Sequence, residues 1–242
     1  MTQPITPIRT ALRLITAILG CMFSEKSAAL IASARRCSYG YPRLKLVFYK
    51  PVHDKRKEGV YTRVSETLVE ANDLPGTPEG VLNTLREHLQ KPCIIVIDEL
   101  QFVGISEDEH PLLSEEEAQQ IMDLLIELMR AGCIIFVAGL DADYACRPFP
   151  LTRLLQASPY VNKRCLTAVC ERCKCDSATH SQLLIDGEPA SGMESSYIVE
   201  KLEEDDSSHA VGIETTGLEP KPRKPVHAYV PRCIDCYVPP LA

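Results

Sequence analysis

Gly20-Cys-Met-Phe-Ser-Glu25-Lys26-Ser27 has residue types and spacing suited to holding phosphate. An apolar run, Arg13–Leu19, leads into it and an alanine-rich segment follows. Strand, loop, helix is the setting of the G-x-x-x-x-G-K-[ST] loop. There, backbone N–H groups and a helix N-terminus cradle phosphate oxygens. Lys26 would reach the β/γ-phosphates, and the Ser27 hydroxyl would bind Mg²⁺. The second glycine of the pattern is Glu25 in this chain. A side chain there meets the close approach of backbone to phosphate, and its charge repels the phosphates. If the position needs a positive φ, it also adds roughly 1–2 kcal/mol of strain. The competing reading is an ordinary strand–turn–helix with a surface lysine.

A second group is Ile94-Ile-Val-Ile-Asp98-Glu99. Apolar residues followed by acid form the Walker B arrangement, a buried strand with a carboxylate at its exposed end. Asp98 could hold Mg²⁺ through water, and Glu99 could take a proton from a substrate hydroxyl. Acids commonly follow strands, so this stretch gains force from the Lys-Ser upstream. A third group is Cys170-x-x-Cys173 with Cys233-x-x-Cys236. Each pair makes a tight turn that aims two thiolates at one tetrahedral ion, the pattern of a zinc ribbon. Their separation exceeds the usual roughly 15–20 residues, so the intervening chain must run out and back. A disulfide or unrelated buried thiols are the alternatives.

The elements that must position these groups follow from apolar patterning. Leu12–Leu19, Leu44–Lys50, Cys93–Ile97, Cys133–Ala138 and Lys163–Val169 read as strands. Ser27–Arg36, Glu79–Leu89 and Leu151–Gln156 read as helices, and Asn72–Pro78 as a loop. Ser114 and Glu117 make a capping box for a helix to Arg130, with Ile121, Leu124, Leu125 and Leu128 on one face. Strands alternating with helices predict an α/β fold with a parallel sheet and right-handed crossovers. Ligands in such sheets bind at the carboxyl ends of the strands. Asp54 and Arg56 follow the second strand there, and Asp141 the fourth. The expected division is residues 1–169 as a nucleotide-binding domain and 170–242 as a small zinc-binding domain. The middle of the latter is long and polar and carries the acidic run Glu203–Asp206.

Composition narrows the classes. Charged residues are 24% and the hydrophobic set 45%, ordinary for a soluble globular protein. A net charge of -7 argues against a general nucleic-acid or membrane-surface binder. No apolar run reaches the roughly 18 residues of a membrane span. Arg9 and Arg13 lie near an apolar stretch that runs straight into the Gly20 loop without a small-residue cleavage site, so no signal peptide is expected. Eleven cysteines without such a signal point to metal ligands and buried thiols in a reducing, intracellular setting. Cys165 and Cys175, outside the two knuckles, are expected to be core or near-site thiols.

Together the motifs resemble those of the type II thymidine kinase family. Gly20–Ser27 resembles its G-P-M-F-S-G-K-S, Ile97-Asp-Glu-Leu-Gln-Phe102 its I-D-E-x-Q-F, and Gly139-Leu-Asp-Ala-Asp-Tyr144 with Arg147-Pro-Phe149 its G-L-D-x-x-F…P-F. Leu166–Cys173 and Tyr229–Tyr237 resemble its two cysteine segments, and the likeness runs in order over about Leu14–Tyr237. The resemblance implies a P-loop NTPase (RecA-like) fold with a C-terminal zinc-ribbon and lasso domain. It further implies ATP- and Mg²⁺-dependent phosphorylation of the thymidine 5′-hydroxyl by a cytoplasmic homotetramer, for salvage toward DNA synthesis.

By position it implies Glu99 as general base and Arg56, with Asp54 nearby, as stabiliser of the moving phosphoryl group. Gly20, Met22, Phe23, Ser24, Glu25, Lys26, Ser27, Asp54, Asp98 and Gln101 would serve nucleotide and Mg²⁺. Met22, Phe102, Leu140, Tyr144 and Tyr229 would line the nucleoside pocket. Cys170, Cys173, Cys233 and Cys236 would hold zinc. The chain departs from the family at Glu25 and at Leu100, which replaces a small residue and is expected to crowd the pocket. The lasso is also longer and acidic. Its threonine has two candidate counterparts, Thr179 and Ser181, and no Ser-His-Asp counterpart occurs near Thr62–Glu66. Three readings stand at this point: an active kinase, a relative that binds without turnover, and a zinc-ribbon NTPase acting on nucleic acid. The acidic balance disfavours the last.

Overall fold

A computed structural model describes residues 14–52, 59–61, 68–105, 113–190 and 227–240. β1 is Ile15–Gly20, α1 Lys26–Gly40 and β2 Leu46–Pro51. A short ribbon pairs β3 (Val60–Tyr61) with β4 (Leu68–Val69). Then come β5 (Asn72–Leu74), α2 (Pro78–Arg86), β6 (Ile94–Ile97), α3 (Glu115–Arg130), β7 (Ile134–Leu140), α4 (Pro150–Ala157) and β8 (Val161–Leu166). The C-terminal part adds β9 (His180–Ile185), β10 (Glu188–Pro189) and β11 (His227–Arg232).

The main sheet has the order β5-β2-β6-β7-β1-β8, and every pairing in it is parallel. The central strands are continuous apolar runs because both faces are covered. Ile95, Ile97, Ile135 and Val137 turn toward α2, α3 and α4 in one buried cluster. Ile94, Val96, Ile134 and Phe136 turn the other way, toward Leu30, Ile31 and Ala34 of α1. This is the α/β architecture expected, with helices on both faces. A separate three-stranded sheet, β10-β9-β11, lies beyond β8 and is antiparallel.

Three local expectations change. Asn72–Leu74, expected to be loop, is an edge strand paired with Tyr49–Pro51, and Asn72 Nδ2 donates to the Phe48 carbonyl at 3.1 Å. Of the two places expected for Cys165, core or near the site, the core is excluded: it is exposed on the edge strand β8, in register with Leu19. Leu100 packs in the core, and the room it needs comes from Gly139, where a Cβ would lie 2.8 Å from that of Leu100. Among the described residues, no helix is long and apolar enough to cross a membrane.

The capping box of α3 forms as its residues dictate. Ser114 Oγ accepts from the Glu117 N–H at 3.2 Å, and the Glu117 carboxylate accepts from the Ser114 N–H at 2.8 Å. Ser114→Ala should therefore lower stability by about 1 kcal/mol, read as a lower urea midpoint at unchanged slope. An unchanged midpoint would mean the cap contributes nothing.

Candidate active site

The loop after β1 is shaped by one close approach. Gly20 has φ 153, and a Cβ there would lie 2.4 Å from the Leu166 carbonyl oxygen and 2.8 Å from Ser24 Oγ. Only a residue without a side chain lets the chain turn under β8 at this point. The loop then passes through Phe23 (φ 64) and Glu25 (φ 58), both left-handed. Its interior is tied to itself. Ser24 Oγ donates to the Cys21 carbonyl at 2.8 Å, and Lys26 Nζ donates to the same oxygen at 2.6 Å. Glu25 is exposed and stands as N-cap of α1 without a side-chain capping bond.

The acids at the ends of β6 and β7 converge on this loop. Asp98 is buried, and its carboxylate accepts a hydrogen bond from Ser27 and, at 2.9 Å, from the Glu99 N–H. Burial, then the adjacent Glu99 charge, push Asp98 up to about 7, against those hydrogen bonds and Lys26. Burial likewise lowers Lys26, opposed first by Glu99 and then by Cys21, Asp98 and Asp141. Asp141 is raised by burial, although the Ala142 N–H donates to it at 3.0 Å. The result is one ammonium held among three carboxylates at the carboxyl ends of β1, β6 and β7, a charge set suited to a phosphate and a divalent cation.

Glu99 sits in a left-handed turn (φ 50) that bends the chain away from β6. Gln101 holds it there. Its amide nitrogen donates to Glu99 Oε2, and its oxygen accepts the Leu140 N–H at 3.0 Å. The candidate base is thus braced to β7. Asp54 and Arg56 lie outside the described residues.

Four of the five candidate nucleoside residues fall into two sets. Tyr144 is buried in a cluster with Leu183 and Ala190, against which Tyr229 packs. Burial first, and then Tyr144 and Asp143, push Tyr229 up to about 12. Phe102 and Leu140 flank Gln101 and are not part of that cluster. Met22 belongs to neither set: its N–H donates to Ser181 Oγ at 3.0 Å. Of the two hydroxyls that could stand for the lasso threonine, Ser181 is the one that meets the loop after β1. Thr179 is exposed and pairs with His180 Nδ1 at 2.9 Å.

Several positioning contacts carry no separate signal in the sequence. Cys21 Sγ donates to the Ala178 carbonyl at 3.2 Å, Gln182 Oε1 accepts the Val238 N–H at 2.8 Å, and the Tyr237 hydroxyl donates to the Tyr144 carbonyl at 2.5 Å. Alternation along β9 would have turned Ser181 and Gln182 to opposite faces, but not named their partners. Asp143 organises the turn after β7, accepting from the N–H groups of Ala145 and Arg147 at 2.9 and 2.8 Å and from Arg147 Nε at 2.7 Å.

The sulfur atoms of Cys170, Cys173, Cys233 and Cys236 all lie within 4.8 Å of one another. A tetrahedral zinc with Zn–S near 2.3 Å needs them about 3.8 Å apart, so the donor set and its compactness fit zinc. Each knuckle has the same backbone turn: Lys174 N donates to the Cys170 carbonyl at 2.9 Å and Tyr237 N to the Cys233 carbonyl at 3.0 Å. Cys175 adjoins them, 3.3 Å from Cys173, as a near-site thiol.

Comparison with known proteins agrees with this picture. A family model described as Thymidine kinase matches residues 13–199, ending before the second knuckle. A thymidine kinase of Mesoplasma florum is 33% identical over 181 residues, which is 72% of this chain and 77% of the relative. One of Deinococcus deserti is 33% identical over 181 residues, 72% and 80% of the two chains. One of Roseiflexus sp. is 34% identical over 182 residues, 73% and 82%.

Two outcomes follow from this geometry. Glu25→Gly should raise stability by about 1 kcal/mol, the left-handed strain relieved less the added freedom of the unfolded chain. An unchanged or lower urea midpoint would contradict it. Purified protein should carry one zinc per chain by metal analysis. Stripping it with a chelator should open the buried thiols of Cys170 and Cys233 to alkylation, and protection after complete stripping would speak against a metal-held knuckle.

Proposed function

Since this chain belongs to the thymidine kinase family, we propose that it transfers the γ-phosphate of ATP to the 5′-hydroxyl of thymidine, giving thymidine monophosphate. The observation that carries the reading is the joined site, in which the Ser27 hydroxyl meets the Asp98 carboxylate while Glu99 and Lys26 stand beside them. The loop amides and Lys26 bind the phosphates and keep their charge compensated. Ser27 and Asp98 would hold Mg²⁺, which when bound supplies charge neutralisation of the transferring group. Glu99, fixed by Gln101, accepts the proton of the 5′-hydroxyl as that oxygen attacks phosphorus. Arg56, with Asp54, is assigned the charge on the moving phosphoryl group. Tyr144, Tyr229, Met22, Phe102 and Leu140 are assigned to the thymidine, beneath a cover made by residues 170–242 and tethered by zinc. Residues 1–169 supply the nucleotide side. The reading carries with it a cytoplasmic homotetramer engaged in deoxynucleoside salvage.

A second reading draws on one feature: Glu25 occupies a left-handed position at the phosphate loop. On that reading the chain is an impaired relative that binds nucleoside or nucleotide without turnover. Glu25→Gly separates the two. Removing the charge should tighten ATP binding by about tenfold.

The direct test is purified protein with ATP, Mg²⁺ and thymidine, assayed for thymidine monophosphate. Glu99→Gln should cut kcat by roughly 10²–10⁴-fold and leave thymidine binding by calorimetry within a few-fold. No product from the wild type and none from Glu25→Gly would remove the kinase reading. Thymidine binding in that case would establish the second.

A further inference from the structure

At the end of the sheet away from the phosphate loop, two cysteines face each other. Cys93 precedes β6 and Cys133 precedes β7. Ile94 is in register with Ile134, and the Ile134 N–H donates to the Cys93 carbonyl at 3.1 Å. The pair therefore stands side by side on adjacent parallel strands, which run about 4.8 Å apart. That falls inside the Cα separation a disulfide requires. Their thiols hydrogen-bond each other. A buried free thiol is ordinarily a small hydrophobe, but here one of the two has an imidazole against it and the other the backbone carbonyl of the same residue. Cys93 Sγ is 3.3 Å from His88 Nδ1, and Cys133 Sγ donates to the His88 carbonyl at 3.7 Å. The other ring nitrogen, Nε2, is 2.7 Å from the Tyr49 hydroxyl, which fixes the ring. His88 is half-buried, so the cluster reaches the surface through it, although the cysteines are 3% and 2% exposed.

We propose that Cys93 and Cys133 are a redox modification site that closes to a reversible disulfide, with a hydroperoxide as oxidant. The hydrogen bond from Cys93 lowers Cys133 and raises Cys93, so Cys133, once it has given the proton it shares with the His88 carbonyl to solvent, is the attacking thiolate. Its sulfur attacks one oxygen of the hydroperoxide. The O–O bond breaks, an S–OH forms, and the departing alkoxide or hydroxide takes a proton from solvent. The Cys93 sulfur then attacks that sulfenic sulfur. The S–S bond forms, the S–O bond breaks, and the hydroxide leaves as water with the Cys93 proton, relayed by His88 Nδ1. Two thiols and one hydroperoxide thus give one disulfide, one alcohol or water, and one water. His88 is a positioning and relay residue, and the phosphate-loop chemistry does not involve it.

The test uses zinc-loaded full-length protein treated with hydrogen peroxide, alkylated and digested with trypsin. Cleavage after Arg130 separates the two cysteines, so the link is seen as two peptides joined at a mass 2 Da below their sum, and fragmentation assigns the second sulfur to Cys133 rather than to Cys146 on the same peptide. The expected result is that joined species, lost on reduction and missing from Cys93→Ser. Oxidised wild type should melt about 5 °C higher than reduced, with no such shift in Cys93→Ser. His88→Gln should slow link formation several-fold and reach the same end point. Recovery of Cys93 and Cys133 as alkylated free thiols when other cysteines are oxidised overturns the proposal, as does Cys133 found as sulfinic acid with Cys93 free. An unchanged rate in His88→Gln overturns the role given to the imidazole.

Discussion

A carboxylate removed from water at the end of a central strand needs donors, and Asp98 finds one in Ser27. That hydrogen bond joins the carboxyl end of β6 to the first turn of α1, across the gap left by β7. It exists only if β1, β7 and β6 keep their register and if the loop delivers α1 at the right height. The apolar core on both faces serves the register. Gly20 serves the height, because the loop begins by passing under the Leu166 carbonyl. The burial that makes the carboxylate costly to ionise also makes a cation in front of it worth more, since both effects follow from the same low local dielectric.

Much of this was legible from residues alone, for physical reasons. Strands buried on both faces read as unbroken apolar runs, so β1, β6 and β7 declared themselves, and with them the loop and the acids that end them. The capping box of Ser114 and Glu117 is a local interaction and survived folding intact. Less legible were features set by tertiary contact. β5 has three residues and no pattern of its own; it is strand because β2 offers an edge. Cys165 lies on the outermost strand, where one side has no neighbour in the sheet and burial no longer follows from strand membership. Leu100 looked like an intrusion into the pocket, but its space is provided by a glycine on another strand. The choice between Thr179 and Ser181 depended on which hydroxyl β9 turns toward the loop. Glu25 shows the opposite case: an expected strain, conditional on a backbone angle, whose angle is present.

The C-terminal sheet is more than an appendage in these terms. Its strand β9 supplies Ser181 to Met22 and Gln182 to Val238, and the segment before it receives the Cys21 thiol. The knuckles fold Tyr237 back onto the Tyr144 carbonyl and against the His180 ring, stacked at 4.6 Å. Thus the four sulfurs sit where one ion would brace β9, β11 and the turn after β7 together.

The contact between Met22 and Ser181 has a thermodynamic corollary. An amide of the loop after β1 is satisfied by a hydroxyl from β9. Any ligand that changes the strength of that bond from one side changes it for a ligand on the other. Reciprocity requires the two affinities to shift by one common factor. A single hydrogen bond of ordinary strength, about 1 kcal/mol, corresponds to a factor of about five. For two ligands bound one on each side, the order of arrival is immaterial to that factor, which belongs to the bond between the loop after β1 and β9.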